Sequence, residues 1–95
     1  MKLTPEQVDQ LTNEQVLGKK SKSIYDAYIK DFCEAKRDIL FESFRALPLS
    51  AEQDLMEVKR MLYAIDTLEE EIVSQIQTGE MASKTLNEAE RQEVH

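Results

Sequence analysis

The sequence predicts an all-α protein: a long antiparallel helical hairpin over about 24–47 and 51–78, with a short N-terminal helix and a short or frayed C-terminal segment, associating with further copies. Three observations carry this. Leu55, Val58, Leu62, Ile65, Glu69, Ile72 and Ile76 recur at alternating steps of three and four, which draws one stripe along one side of a helix. A second stripe runs through Ile29, Cys33, Lys36, Leu40, Phe44 and Leu47, and only Leu47-Pro48-Leu49 separates the two, so short a link that the helices must be antiparallel neighbours. Two glycines, two prolines and no tryptophan suit a helical chain poor in turns.

In chain order, Thr4-Pro5-Glu6-Gln7 combines a cap residue, a proline at the first helical position and a glutamine three after the cap. That predicts a short helix over Pro5–Leu11. Thr12-Asn13-Glu14-Gln15 repeats the cap-to-glutamine spacing and predicts a turn or a second short helix to Leu17. Gly18-Lys19-Lys20-Ser21-Lys22-Ser23 reads as a hinge with two further caps. The first long helix follows, its apolar face widened by Tyr25, Tyr28, Phe32, Ile39 and Phe41. Pro48 ends it, because the residue before a proline is pushed out of the helical region. Ser50 and Gln53 then start the second helix, and Gly79 is placed to close it. Beyond, Met81, Ala82 and Leu86 suggest a short helical return, and the residues from Asn87 a polar, solvated tail. The expected organisation is an N-terminal arm over 1–18, the hairpin over 19–79 and a C-terminal segment over 80–95.

The chain carries a net charge of −7 with 33% charged residues, and the acid excess falls mainly on residues 48–79. Direct nucleic-acid binding is not expected, since displacing counterions needs clustered Lys and Arg, and only Lys19, Lys20 and Lys22 cluster. The apolar runs are too short to span a membrane, and no signal peptide is expected after Met1-Lys2. The single cysteine, Cys33, excludes an internal disulfide and suits a reducing cytoplasm.

No catalytic or metal site is legible, so no enzyme activity and no cofactor are expected. The one histidine is the terminal His95. Cys33 lies on an apolar stripe and reads as structural. Helical di-metal sites pair glutamates with Glu-x-x-His, and the acidic run Asp66, Glu69, Glu70, Glu71 has no such histidine. Glu69 is set apart by its stripe position. Lys36 or Arg37 of the facing helix would suit it, but counting equal distances from the proline favours a hydrogen bond from Tyr28. Lys19, Lys20 and Lys22 would bind an anion if they flanked the open N–H groups of a helix start.

Two wide stripes cannot cover one another fully, and the leftover apolar area favours association. Leu55, Met61, Leu68, Phe41 and Phe32 are the candidate partner-binding residues. In the alternative reading, Asp54, Glu57, Asp66, Glu70 and Glu71 form an acidic face that docks on a host enzyme as an anti-defence or nucleic-acid-mimicking inhibitor; a variant has the lysine segment sequester a small nucleotide.

Leu11-Thr12-Asn13-Glu14-Gln15 before Gly18, the long helix with its proline turn, Leu62-Tyr63-Ala64-Ile65-Asp66-Thr67-Leu68-Glu69, and Thr78-Gly79-Glu80-Met81-Ala82 resemble a group of small helical proteins of tailed bacteriophages and prophages. That group commonly has Gly-Lys where this chain has Gly79-Glu80. The resemblance spans roughly residues 11–86. It implies no catalytic residues, and it implies a role near head and packaging functions, hence virion assembly or an oligomeric adaptor. The expected partners are itself and another protein, in the host cytoplasm or associated with the virion.

Overall fold

The first helix begins where the capping residues place it. Thr4 N–H donates to Gln7 Oε1 at 2.9 Å, and Gln7 N–H donates to Thr4 Oγ1 at 3.1 Å, the reciprocal pair that satisfies otherwise orphaned donors. A computed structural model describes residues 2–94, and the side chains of residues 2–91. It contains α1 (Pro5–Ile24), a π-helical turn (Tyr25–Ile29), α2 (Lys30–Ala46) and α3 (Glu52–Val94), with no strand among the described residues. The chain is all-helical, as the stripes predict.

Several predicted boundaries are overturned. No break follows Leu11, and Gly18–Ser23 is no hinge: α1 runs unbroken from Pro5 to Ile24. Thr12 does not cap a second helix; its hydroxyl donates back to the Val8 carbonyl at 2.7 Å, inside the helix. Gly79 does not close the second helix, and there is no separate return or tail from residue 80. α3 passes through Gly79, which has no positive φ, and continues to Val94. His95 lies outside the described residues.

The proline stop holds. α2 ends at Ala46, Leu47 takes an extended conformation (φ −75°, ψ 134°), and its N–H donates to the Ser43 carbonyl. The restart comes one residue later than Ser50 predicts. Ala51 N–H donates to the Pro48 carbonyl, and the Ala51 carbonyl accepts the first helical bond of α3, from Leu55 N–H, so Ala51 stands at the cap position.

The chain divides into two units, Met1–Ile24 with Ile72–His95, and Tyr25–Glu71. In the first, α1 meets the C-terminal half of α3 through small side chains. Gly18, Gly79 and Ala82 are buried beside Ile76, and Ser21 Oγ donates to Gln75 Oε1 at 3.0 Å. Each glycine is needed for close approach: a Cβ built on Gly18 would stand 2.7 Å from the Gly79 Cα, and one on Gly79 equally close to the Gly18 Cα. In the second unit, Cys33, Leu40 and Val58 are buried, and Ile29, Leu55, Leu62 and Ile65 are half-buried. The α3 stripe is the predicted one. On α2 the half-buried residue after Cys33 is Arg37; Lys36 is exposed, and Phe44 is more exposed than Ser43.

Candidate interaction surface

Glu69 anchors the geometry of the second unit. Its stripe position turns the carboxylate toward α2, where burial without a partner would be costly. Arg37 Nη2 donates to Glu69 Oε1 at 2.5 Å, and Tyr25 Oη donates to Glu69 Oε2 at 3.2 Å. Arg37 Nε donates to Asp66 Oδ1 at 2.8 Å, so one guanidinium fork spans two carboxylates on successive turns of α3. The expected Tyr28–Glu69 bond is absent; Tyr28 is 73% exposed. The count from the proline sets only the level along the helix and not the face: Tyr28 points to solvent, whereas half-buried Tyr25 faces inward and reaches Glu69 along the helix.

The electrostatics of this cluster favour a fixed charge pattern. Hydrogen bonds from Arg37 to Asp66 and Glu69 push its pKa further up, so it stays cationic. Burial, then the Glu69 charge, raises the Tyr25 phenol, which remains the donor. The same two causes raise the Cys33 thiol, which keeps it protonated and poorly nucleophilic at neutral pH. Every buried side-chain nitrogen or oxygen among the described residues has a hydrogen-bond partner. Among those residues no group of three or more His, Cys, Asp or Glu is arranged to hold a metal ion, and no helix is long and apolar enough to cross a membrane.

The Arg37–Asp66 contact fixes which flanks of α2 and α3 lie together. At about 100° per residue, Phe32 and Ile39 sit roughly 140–160° around α2 from Arg37, and Met61 and Leu68 sit the same angle around α3 from Asp66. On each helix, therefore, the two apolar residues lie on the flank turned away from the Arg37–Asp66 contact. All are large and exposed: Phe32 58%, Ile39 60%, Met61 46% and Leu68 52%. Lys36 lies on the same flank of α2, its ammonium 5.9 Å from the Phe32 ring centroid. Phe32 thus shares its flank of α2 with Ile39, and Met61 shares its flank of α3 with Leu68, while Phe41 and half-buried Leu55 lie on the flanks nearer the Arg37–Asp66 contact. The signal for Ile39 in the sequence was its seven-residue spacing from Phe32.

The acidic residues are all exposed, but they do not form one face. On α3, Asp54 and Glu57 border the flank of Met61 and Leu68, Asp66 and Glu70 lie toward the other, and Glu71 points away from both. Asp66 is held by Arg37, and Glu57 accepts from Arg60 at 3.2 Å. The lysines lose the helix start expected of them, because Ser21 and Ser23 lie inside α1, where helical bonds occupy the backbone N–H groups. Lys19 and Lys22 line a shallow groove with Gln15, Gly18, Ile76, Gly79, Glu80 and Ser83, and Lys20 lies outside it. In comparisons with protein-family models, curated proteins and solved structures, nothing matches this chain.

Proposed function

We propose that this chain is a non-enzymatic helical protein that acts through protein–protein contacts, as an assembly component or oligomeric adaptor of a phage-type system. In this reading its long helices form an antiparallel hairpin whose uncovered apolar flanks are the working surface. One observation carries it. Within the second unit large apolar side chains stay open to solvent on both long helices, Phe32 at 58% and Ile39 at 60% on α2, Met61 at 46% and Leu68 at 52% on α3, and covering such surface is worth about 25 cal/mol per Å². The phage setting rests on the sequence resemblance. Light scattering across micromolar concentrations tests the reading: a mass above that of one chain is expected, and a monomer throughout would refute it.

A further inference from the structure

We infer that the Tyr25–Ile29 π turn is a conformational device that absorbs one surplus residue, and that the second unit keeps its inward-facing side chains in place when that residue is removed. The inference stands apart from the associating reading. Three observations meet at this turn.

The first is the spacing of the side chains that face inward. Leu11, Gly18 and Tyr25 are buried or half-buried and follow one another at steps of seven. Cys33, Leu40 and Leu47 do the same. Seven residues return an α-helix to the same face within about 20°. The step that joins the two sets, from Tyr25 to Cys33, is eight. One additional residue in an α-helix turns everything beyond it by about 100°, which would carry Cys33 and Leu40 off the face that Tyr25 occupies.

The second is the place of the π turn. It occupies Tyr25–Ile29, inside the eight-residue step. A π turn closes its hydrogen bond one residue further along than an α turn, so it takes up one residue without turning the face away. Side-chain spacing and backbone geometry thus put the same insertion between Tyr25 and Cys33. Asp26, Ala27 and Tyr28, within the turn, are all exposed.

The third is the facing helix. On α3 the inward residues Leu55, Leu62 and Glu69 keep steps of seven without interruption, so the surplus belongs to one helix of the pair. Glu69 accepts from Tyr25, which opens the turn, and from Arg37, which lies beyond it. One carboxylate therefore holds the two sides of the insertion in a fixed phase.

The test removes one exposed alanine from the full chain at either of two places. Deletion of Ala27 shortens the step from Tyr25 to Cys33 to seven and lets the turn become α-helical. Deletion of Ala64 cuts the step from Leu62 to Glu69 to six, and α3 is α-helical throughout, with no surplus to make good the loss. Helicity and the thermal midpoint are read by circular dichroism. The expected result for the Ala27 deletion is full helicity and a midpoint no lower than that of the wild type. The Ala64 deletion should lower the midpoint by at least about 8 °C, because Leu62 and Glu69 no longer share a face. Tyr25→Phe, made in the chain lacking Ala27, should lower the midpoint as far as it does in the wild type, which reports that Tyr25 still meets Glu69. An Ala27 deletion as damaging as the Ala64 deletion overturns the inference. A chain that tolerates both deletions overturns it too, and so does a Tyr25→Phe change that costs nothing once Ala27 is gone.

Discussion

Replacing Gly18 by alanine sets two effects of similar size against each other. Within a helix, alanine is favoured over glycine by about 1 kcal/mol. In isolation the change should stabilise α1. The structure predicts the reverse, because the new Cβ would stand 2.7 Å from the Gly79 Cα, 3.3 Å from its nitrogen and 3.4 Å from the Gln75 carbonyl oxygen. Carbon atoms prefer about 3.5–4.0 Å, so the helices must part by roughly 1 Å at this crossing. The obstructing atoms are backbone and cannot rotate away. Overpacking of this kind costs about 1–3 kcal/mol. The net is a loss of about 1 kcal/mol, or roughly 4–8 °C in the melting midpoint for a domain of this size. Gly79→Ala should behave alike, with the Gly18 Cα at 2.7 Å and the Glu14 carbonyl oxygen at 2.9 Å. Ser23→Ala, at an exposed position of the same helix, supplies the propensity effect alone and should raise the midpoint slightly. Thermal unfolding followed by circular dichroism decides the matter. If Gly18→Ala raises the midpoint as Ser23→Ala does, the close crossing does not exist and the packing argument fails.

Three further outcomes are expected from the second unit. Tyr25→Phe removes the donor to a half-buried carboxylate and should cost about 1 kcal/mol in urea unfolding, whereas Tyr28→Phe should leave the midpoint unchanged. Arg37→Met leaves Glu69 without its cation; with both side chains about one-fifth exposed, a loss of about 1–2 kcal/mol is expected, larger than for Arg45→Met at an exposed i,i+3 pair. Alkaline pH should destabilise the fold. The Cys33 thiol and Tyr25 phenol are both raised, so their contribution is complete below the ordinary thiol value of 9.0 and is lost as pH climbs through the folded-state values; Cys33→Ala with Tyr25→Phe should flatten that decline in the melting midpoint.

The legible parts of this fold are those where local chemistry and tertiary packing agree. Thr4 and Gln7 cap the helix they appear to cap, Pro48 stops α2, and the α3 residues at three-and-four spacing are the ones that turn inward. Gly18 and Gly79 misled because glycine has two uses. As punctuation it ends helices, and as the smallest residue it lets backbones touch; only the partner across the crossing decides which use applies. The two glycines are each other's partner, a pairing that single-helix reasoning does not examine. The choice between Lys36 and Arg37 was open because the two stand at nearly equal angles to either side of the line through Cys33 and Leu40; only the contacts with Asp66 and Glu69 show that Arg37 is the one turned inward. The apolar flanks were partly visible: Phe32, Met61 and Leu68 lie on them, whereas Phe41 and Leu55 could be separated from them only once Arg37 and Asp66 were seen to meet.

The π turn also explains how a carboxylate can stand in the stripe of α3. Tyr25, Ile29, Cys33 and Arg37 all face inward at successive steps of four. In an unbroken α-helix each such step drifts by about 40°, and three of them would carry Arg37 about 120° away from Tyr25. One turn that absorbs an extra residue takes up much of this drift and keeps both ends of the run toward α3. Tyr25 and Arg37 then reach the two oxygens of one carboxylate from opposite directions along the helix, and Cys33, lying between them, is 2% exposed. A slip of α3 by one turn would set Glu69 against apolar side chains and leave Arg37 without its fork, so the cluster selects one register among the several that the apolar residues alone would permit. The same selection decides the outer surface. With Arg37 and Asp66 committed to one flank of each helix, helical phase turns Phe32 and Ile39 on α2, and Met61 and Leu68 on α3, away from that contact and leaves them exposed.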